Sequence, residues 1–557
     1  MKSKIENFLS RVLGSIDPKV VKRLCVFFFT LFVLLFSWNS DDAFHSYVMV
    51  RNLASGNGFV YNAGYRVCAS TCPLFTLIEV PVYFLTGNAF YTGILLGTLF
   101  SGLSAYFIVY RFCRRTSDAV LSTAILSLCY CFMCYTTSGL ENSLLYLLGV
   151  LFLYFSLYGK APSGRGLLLL SFLFSLIAMT RMDAVLLFAP LFLFSVLRPQ
   201  PTRLPGRLLT VLTGMIPFFL WEIFSLIYYG YPFPNTFYIK LSTGFPVTEY
   251  LSKGLDYLYR SFACDILLFV LPVLLSVLSV RRKHPKLLCL SLGVILYLLY
   301  VISIGGDFMV GRHLCVPFLM SLCGIIYAFG TDKPESFPSG SFFVRQPLAL
   351  IMILGLLWLP FSLLSRSLLF DIDENAAVSS VADERRVYVS NNTGTVAYTL
   401  YLLVDSRDTE KEFCAEQLDE IRDAYLKNAK GLVVSSVASG AAAYHGHCDY
   451  GDICITDAYG LMDPLLSHLP AIHTVPWRTG HMKRPIPEGY EESLAAGRNL
   501  IADPSLHEFY DKVLLIVSGD LFEKGRIRTI LDMNLGKYDH LVDEYLERSV
   551  SREASGP

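Results

Sequence analysis

The sequence predicts a polytopic α-helical membrane protein with about 11 transmembrane helices and a C-terminal extracytoplasmic domain of α/β or α+β type. Of its 557 residues, 54% are hydrophobic and only 17% are charged, and the mean hydropathy is +0.49. A soluble protein of this length could not bury so much apolar surface, whereas lipid solvates it directly. The formal net charge is zero, so nucleic acid is not an expected partner.

The first predicted span runs from Leu24 to Trp38, an uncharged apolar stretch preceded by Lys19, Lys22 and Arg23. A cleaved signal peptide is the alternative, because the stretch is short. No small-residue cleavage site follows it, however. We therefore interpret it as a retained span whose basic flank lies on the cytoplasmic side.

Ten further apolar segments complete the predicted spans. They lie near residues 89–111, 117–135, 141–158, 166–180, 183–198, 208–229, 262–280, 286–303, 313–330 and 346–365. The apolar stretch 73–86 is short and carries Pro73, Glu79 and Pro81. We interpret it as a re-entrant or surface-lying segment, since a span requires roughly 20 apolar residues.

Charge placement supports this choice and sets the orientation. With 73–86 not spanning, the predicted cytoplasmic stretches hold 20 Lys or Arg residues and the opposite loops hold 7. This is the asymmetry that the positive-inside rule requires. Counting 73–86 as a span would reverse every later helix and place Arg281, Arg282 and Lys283 outside. The sequence therefore predicts a multi-pass protein of the bacterial cytoplasmic (inner) membrane.

Residues 1–365 form the predicted transmembrane domain, and residues 366–548 form an extracytoplasmic domain of ordinary globular composition. The latter alternates predicted strands at Leu432–Val437, Ile453–Thr456 and Val513–Ser518 with helical stretches at Glu410–Ala429 and Ile527–Leu535. Residues 549–557 read as a disordered tail.

The 14 cysteines do not form one disulfide framework. Most fall in or beside spans, where they pack as small apolar residues. Cys68–Cys72 and Cys448–Cys454 are close pairs in predicted extracytoplasmic segments, where disulfides persist, and we predict both bridges. The segment His445–Cys448 also allows a zinc interpretation, but no fourth ligand at a defined spacing completes it.

Polar side chains collect at the predicted outer ends of the spans. Adjacent carboxylates at a lipid boundary are costly without partners, so Asp41 and Asp42 indicate a reaction centre. Four later clusters are predicted at the same depth: Thr136–Asn142, Thr180–Asp183, Tyr231–Lys240 and Gly305–His313. Single charged residues at helix ends are common anchors, but five clusters on one face favour a site.

This inventory suits transfer of a sugar from a lipid-linked phosphate. The leaving phosphate has a second pKa near 6 and needs cations rather than an acid; the candidates are Arg181, Lys240, Arg312 and His313. The acceptor hydroxyl needs one carboxylate as general base. We favour Asp41 for this role, with Asp42 orienting it or capping the next helix.

Several sequence blocks resemble the bacterial GT-C membrane glycosyltransferases, in particular the mycobacterial terminal β-arabinofuranosyltransferase family. The blocks are Asp41–Tyr47, Arg51–Gly64, Ser138–Glu141, Pro234–Lys240, Gly305–Arg312, Gly460–Pro464 and Gly480–Pro485. The resemblance runs from about residue 38 to 545. It implies a GT-C fold, a polyprenyl-phosphate donor of a furanose sugar, a cell-envelope glycan acceptor, an aspartate of the Asp41–Asp42 pair as base, and a carbohydrate-binding outer domain.

Further candidates come from the same segments. Predicted substrate-binding residues are His45, Arg51, Asn52, Glu141, Asn235, Tyr238 and Asp307. Predicted glycan-binding residues of the outer domain are Trp477, Arg478, His481, Lys483 and Arg484, because aromatic rings stack on sugars and cations suit anionic partners; a solvated loop is the alternative interpretation. No cofactor requirement is evident, and a divalent cation stays open.

Two other classes of protein were weighed against the enzyme. A transporter or flippase of a lipid-linked sugar needs a polar path through the bilayer, but the span interiors carry almost no charge apart from Glu222. A non-catalytic membrane receptor for envelope glycans is the third hypothesis.

Overall fold

Helices dominate the computed structural model, as the apolar sequence predicts. It describes residues 17–159, 164–198, 203–241, 243–330, 347–369, 381–390, 414–427, 432–435, 440–451, 453–474 and 477–555. These residues divide into two compact units that interleave along the chain. Unit 1 takes the described parts of Met1–Ser40, Phe90–Pro217 and Val247–Leu403, and unit 2 takes those of Asp41–Ala89, Phe218–Pro246 and Val404–Pro557.

The elements follow the chain in this order. The helices up to residue 369 are α1 (Pro18–Leu35), α2 (Ala43–Ala54), α3 (Pro73–Thr86), α4 (Ala89–Phe107), α5 (Thr116–Leu128), α6 (Tyr130–Cys134), α7 (Asn142–Tyr158), α8 (Gly164–Thr180), α9 (Val185–Leu197), α10 (Leu204–Gly214), α11 (Ile216–Tyr228), α12 (Asn235–Leu241), α13 (Val247–Cys264), α14 (Leu267–Arg282), α15 (Pro285–Ser303), α16 (Cys315–Gly330) and α17 (Pro347–Leu369). The later elements are α18 (Glu384–Ser390), α19 (Ala415–Lys427), β1 (Leu432–Ser435), α20 (Ala441–Tyr450), β2 (Cys454–Asp457), α21 (Tyr490–Ala496), α22 (Pro504–Val517), α23 (Arg526–Asn534) and α24 (Asp539–Ser555).

Each of the eleven predicted spans contains a helix, and the protein is a helical multi-pass membrane protein. Among the described residues, four helical segments are long and apolar enough to cross a bilayer: Ala89–Phe112, Pro285–Ser303, Arg312–Gly330 and Leu348–Arg366. The number rises to six if the pairs α10–α11 and α13–α14 each count as one bent span. Five shorter apolar helices accompany them, so the count of eleven stays a prediction. One of the five, α3, has 14 residues and a length of about 21 Å, less than the hydrocarbon core.

Unit 1 is built around α16, in which every residue from Cys315 to Ala328 is buried. The surrounding helices pack closely because glycines, which have no side chain, stand where two helices cross. Gly293 of α15 lies directly against the carbonyl of Leu187 in α9, where an added Cβ would collide. This close packing fixes the helix ends that carry the polar clusters of unit 1.

Unit 2 combines short helices with a small sheet. Strands β1 and β2 are parallel, with Leu432 opposite Cys454 and Ser435 opposite Asp457. The side chain of Asn62 extends the pairing, because its Nδ2 donates to the Ile455 carbonyl at 2.8 Å and its Oδ1 accepts the Ile455 amide at 2.9 Å. The first loop therefore forms part of the same unit as the C-terminal region.

The predicted strand Val513–Ser518 is wrong, since these residues lie in and directly after α22. Pro504 begins this helix, and the Asp503 carboxylate accepts the amides of Ser505 and Leu506 as an N-cap. The buried residues then recur at helical spacing and form one core: Leu506, Phe509, Tyr510, Val513, Ile516 and Val517. Capping and periodicity therefore outweigh the strand preference of a short apolar run.

The predicted domain limits also differ from the observed units. The sequence predicted one boundary at residue 366, whereas residues 381–390 belong to unit 1. There Ala382 exchanges backbone hydrogen bonds with Phe308 and Val310, and the Tyr130 hydroxyl donates to Asp383 at 2.8 Å. At the C-terminus, α24 continues to Ser555 through most of the predicted disordered tail, and residues 556–557 lie outside the described residues.

Neither predicted disulfide is present, and all 14 cysteines are free thiols. Cys68 and Cys72 are buried, but their sulfurs contact oxygen atoms of Ser70 at 3.6 Å. Cys448 is exposed on α20, whereas Cys454 begins β2. Both predicted bridges are therefore absent from this structure.

Candidate active site

Asp41 and Asp42 come directly before α2 in unit 2. Asp42 is the N-cap residue of α2, but its side chain makes no capping hydrogen bond. The Asp41 carboxylate instead meets the N-terminus of α20, where its Oδ1 accepts the Ala441 amide at 2.7 Å. Gly440 lies directly against this carboxylate, leaving no room for a Cβ. The helix N-terminus thus holds Asp41 in one position.

Several groups act on the ionisation of Asp41. Burial raises the pKa of its carboxyl above the ordinary value, while the Ala441 amide and the nearby His45 lower it. Asp42 raises the pKa of Asp41, and Arg478 lowers it. The arrangement therefore makes Asp41 a stronger base than an exposed aspartate while a hydrogen bond still supports its charged form.

A third carboxylate of the same group, Asp457, was missed by sequence reasoning. It ends β2, is 3% exposed, and accepts the amides of Tyr459 at 2.9 Å and Leu461 at 2.8 Å. Burial raises the pKa of Asp457, while the two backbone hydrogen bonds and the nearby His45 lower it. The carboxyl end of a parallel strand is a common place for ligand-binding groups, and this was the available signal.

Tyr61 is close enough to Asp41 and Asp457 for both charges to act on its hydroxyl. It was not singled out from the sequence. It is fully buried; burial raises the pKa of its hydroxyl, followed by the charges of Asp457 and Asp41. Its ring also lies 6.3 Å from that of His45. One histidine, one tyrosine and two carboxylates thus influence one another within unit 2.

His481 and Arg478, predicted as glycan-binding residues, belong to the same group. Burial and the Arg478 charge lower the pKa of His481 to about 4, against the opposing charge of Asp42. His481 is therefore neutral at physiological pH. Lys240 is exposed. It lies near Gly480, the residue before His481, since a Cβ added to Gly480 would be 4.0 Å from Lys240 Cε. Of the four predicted phosphate-binding residues, Lys240 is the one that lies in unit 2.

Arg51 and Asn52 mainly position the first loop. Arg51 donates to the His447 carbonyl and to Asn52 Oδ1, and Asn52 Nδ2 donates to the carbonyls of Val60 and Tyr61 at 3.1 and 2.6 Å. These hydrogen bonds hold Tyr61 beside the carboxylates. The predicted direct contact of Arg51 and Asn52 with substrate stays a prediction.

Asn235 and Arg484 likewise serve the fold. Asn235 Nδ2 donates to the carbonyls of Gly460, Leu461 and Asp463. Arg484, 2% exposed, donates to four carbonyls, among them Ile239 at 2.7 Å. Both side chains bind backbone groups in this structure, and their predicted roles in substrate and glycan binding stay predictions.

The remaining predicted aromatic and basic residues differ in exposure. Trp477 is 4% exposed and packs on Phe245 with ring centroids 5.3 Å apart, so its ring is covered rather than presented to a sugar. Tyr238 is half-buried and packs on Tyr231. Lys483 is exposed. Burial of Trp477 follows from its apolar neighbours, which the sequence pattern did not reveal.

Unit 1 contains a separate group of ion pairs at the ends of α7, α8 and α16. Arg181 Nη1 lies 2.6 Å from Glu141 Oε1, and Arg181 Nε lies 2.8 Å from Asp183 Oδ1. Arg312 Nη2 lies 3.1 Å from Glu141 Oε1, and its Nη1 lies 3.6 Å from Asp307 Oδ2. Glu141 therefore joins both arginines while being only 2% exposed.

His313 completes this group together with Tyr297. Its Nδ1 lies 3.1 Å from the Tyr297 hydroxyl, its Nε2 lies 3.4 Å from Asp307 Oδ2, and Arg181 Nη2 lies 3.1 Å from Nε2. Tyr297 was not among the predicted site residues. Asp183 belongs to the predicted cluster Thr180–Asp183, but no role was assigned to it from the sequence.

Charge balance limits what this group can bind. Three carboxylates (Glu141, Asp183 and Asp307) face two guanidinium groups, so the arginine charges are already compensated. A buried network of this kind costs several kcal/mol to break. The structure thus gives Arg181 and Arg312 carboxylate partners within the chain, and donor-phosphate binding by these arginines and His313 stays a prediction.

Metal binding was left open by the sequence. Within the described ranges, no group of three or more His, Cys, Asp or Glu side chains is arranged to hold a metal ion. His445 and His447, of the possible zinc segment, are buried in α20, whereas Cys448 is exposed. The zinc interpretation therefore gains no support from this segment.

The apolar helices and the buried acidic and cationic side chains define the class: a multi-pass helical membrane protein with polar chemistry held away from bulk water. No family model matches the chain. The chain is similar to the terminal β-(1→2)-arabinofuranosyltransferase of Mycobacterium tuberculosis (strain ATCC 25618 / H37Rv), with 26% identity over 417 residues. The match covers 64% of this chain and spans 64% of the length of that curated relative.

A crystal structure is also similar, that of ArnT from Cupriavidus metallidurans bound to undecaprenyl phosphate. It matches over 79% of this chain and 89% of its own, with a TM-score of 0.43 and 14% identity. The resemblance to the mycobacterial terminal arabinofuranosyltransferases that the motifs indicated is confirmed by the curated relative.

Proposed function

We propose that the protein is an inverting glycosyltransferase that moves a sugar from a polyprenyl-phosphate donor to a cell-envelope glycan. Transfer takes place at the outer face of the cytoplasmic membrane. The observation that carries the proposal is the Asp41 carboxylate, which the Ala441 amide holds at 2.7 Å beside Asp42, His45 and Arg478. The motif resemblance to arabinofuranosyltransferases supports it.

In the proposed reaction, Asp41 removes the proton of an acceptor hydroxyl as the oxygen attacks the anomeric carbon of the donor. The bond between the anomeric carbon and the phosphate oxygen breaks on the opposite face, so the configuration inverts. The polyprenyl phosphate departs with its electron pair. Because a phosphate leaves with its charge stabilised by cations, no acid has to protonate it. Lys240 is our candidate for this stabilisation within unit 2.

The neighbours of Asp41 have defined tasks in this scheme. Gly440 and Ala441 fix the carboxylate, and a fixed base needs little reorganisation during proton transfer. Asp42 and Arg478 adjust its basicity in opposite directions. Asp457 and Tyr61, buried beside them, are candidates for holding hydroxyl groups of the acceptor or sugar.

For the sugar we propose arabinofuranose or a related sugar, and for the acceptor a terminal glycan of the envelope. The M. tuberculosis relative, a terminal β-(1→2)-arabinofuranosyltransferase, supports this choice.

The experiment uses the full-length protein in nanodiscs with a synthetic polyprenyl-phosphate arabinofuranose and an oligosaccharide acceptor. We expect Asp41→Asn to lower kcat by about 10²- to 10⁴-fold, the range for loss of a general base, without lowering the melting temperature. Asp42→Asn is the matched control and should retain most activity. Donor binding by Asp41→Asn, measured by thermal shift, should persist.

Three results would overturn the proposal. If Asp41→Asn transfers the sugar at the wild-type rate, Asp41 is not the general base. Donor movement across vesicle membranes without any product favours a flippase, and glycan binding without turnover of any lipid-linked sugar favours a receptor.

A further inference from the structure

Helix α23 of unit 2 carries apolar side chains on its exposed side. Ile527, Leu531 and Leu535 follow one another at four-residue spacing and are 45%, 50% and 72% exposed, and Phe522 just before the helix is 89% exposed. We call these four residues the α23 stripe. The opposite side is packed, since Arg526, Thr529, Ile530 and Met533 are buried. One side of the helix is thus packed inside unit 2, and a second, apolar side is exposed.

The position of α23 is fixed by the end of α11. The Arg526 guanidinium, fully buried, donates to the carbonyls of Ile227 at 2.8 Å and Tyr228 at 3.0 Å. At the other end of α23, Asn534 Nδ2 donates to the Gly230 carbonyl at 2.8 Å. The terminal carbonyls of a helix need such partners. Both ends of α23 are thus attached to the last turn of α11 and the residues after it.

Helix α11 has its own exposed apolar side. Leu220, Ile223 and Ile227 are 61%, 56% and 41% exposed, and α11 together with α10 is long and apolar enough to count as one bent membrane span. The side chain of Ile227 is exposed while its carbonyl binds Arg526. The lipid-facing side of α11 therefore ends where α23 is attached.

Charge on α23 does not explain the stripe. Arg528 and Lys537 both pair with Asp532, at 3.7 and 2.5 Å, so these three side chains together carry a net charge of only +1. A long apolar side chain that is 89% exposed, next to the end of a membrane helix, instead matches the interfacial layer between lipid headgroups and acyl chains. Amphipathic helices lie in this layer with their apolar side inserted about 5–10 Å.

We propose that the α23 stripe is a membrane-docking surface that inserts into the interfacial layer of the bilayer which α11 crosses. Phe522 and Leu535 enter deepest, because they are the most exposed. The compact unit that carries Asp41 then has two attachments to the bilayer, α11 and α23. This inference concerns the surface of the protein and holds whatever reaction unit 2 catalyses.

The test is photocrosslinking of the full-length protein in phosphatidylcholine nanodiscs. p-Benzoylphenylalanine replaces Phe522, Leu531 or Leu535 in separate variants, and replaces Leu426 as the matched control. Leu426 is 73% exposed but lies on α19, which packs on α20 and β1. After irradiation, mass spectrometry measures the fraction of protein carrying a lipid adduct.

We expect adducts at positions 522 and 535 to exceed those at position 426 by about fivefold or more, because only the stripe enters the lipid layer. Replacing Leu531 by Asp should reduce the adduct at position 522 while leaving the melting temperature unchanged, since Leu531 is exposed. Equal adducts at all positions, no adduct in the stripe, or crosslinks from the stripe to a second copy of the chain or to another protein would each overturn the proposal.

Discussion

The Asp41 carboxylate accepts a hydrogen bond of 2.7 Å from the amide of Ala441, a residue 400 positions later in the chain. This contact joins the first loop to the N-terminus of α20 and leaves no space for a side chain on Gly440. It combines two effects: burial strengthens Asp41 as a base, and the helix N-terminus fixes its position.

The pH dependence of transfer should reveal the charges around Asp41. A base must be ionised, so kcat/KM falls as the pH falls through the pKa of Asp41, which lies above the ordinary value for aspartate. Asp42→Asn removes a charge that raises this pKa and should move the acidic limb to lower pH. Arg478→Gln removes a charge that lowers it and should move the limb higher. A shift of both variants in one direction would contradict the assignment of Asp41.

Gly440→Ala should displace the Asp41 carboxylate, because the added Cβ would collide with it. We expect kcat to fall by about 10- to 100-fold, as small misplacements of catalytic groups do, with KM for the donor little changed. Gly206→Ala in α10, where a Cβ meets open space, is the control. Wild-type kcat in Gly440→Ala would show that this position of Asp41 is unimportant.

Glu141→Gln should destabilise the protein, since it leaves the buried Arg312 and the partly buried Arg181 with fewer carboxylate partners. The expected loss is about 3–5 kcal/mol, measured by thermal unfolding in detergent. Asp256→Asn, which breaks the more exposed pair with Arg260, is the control and should cost less than about 1 kcal/mol. If Glu141→Gln has the melting temperature of the wild type and only the KM for the donor changes, the ion-pair network serves to bind the donor phosphate rather than to stabilise the fold.

Arg484→Met should lower stability rather than glycan affinity. Four backbone carbonyls lose their donor, and each unsatisfied buried group costs about 1–3 kcal/mol. Lys483→Met, at an exposed neighbouring position, is the control and should leave the melting temperature unchanged. A raised acceptor KM with unchanged unfolding would restore the glycan-binding role of Arg484.

Local signals predicted the helices well and the strands in part. Apolar runs such as 313–330 give α16 because backbone hydrogen bonds within a helix need no distant partner. Two short runs do become β1 and β2, but Val513–Ser518 joins α22, where the Asp503 cap and helical periodicity decide. A short apolar run cannot be assigned by periodicity alone.

The sequence predicted many of the residues of the candidate site, but it did not predict which of them lie next to one another. Asp41, His45, Arg478 and His481 do influence one another in unit 2. Asp457 was missed although it directly follows the predicted strand Ile453–Thr456, because nothing in the sequence indicates that this strand end approaches the first loop. Arg181 and Arg312 were expected to meet a phosphate, yet each has a carboxylate partner from another part of unit 1.

The sequence by itself determined that the protein is a helical membrane protein resembling arabinofuranosyltransferases, and it placed acidic and basic residues at the ends of the apolar segments. These properties depend on composition and on motifs within a few dozen residues. Only the tertiary structure decided which polar groups serve the fold and which surround Asp41. The physical reason is that a buried polar group takes whichever partner the fold brings within about 3 Å, and here those partners come from segments hundreds of residues apart.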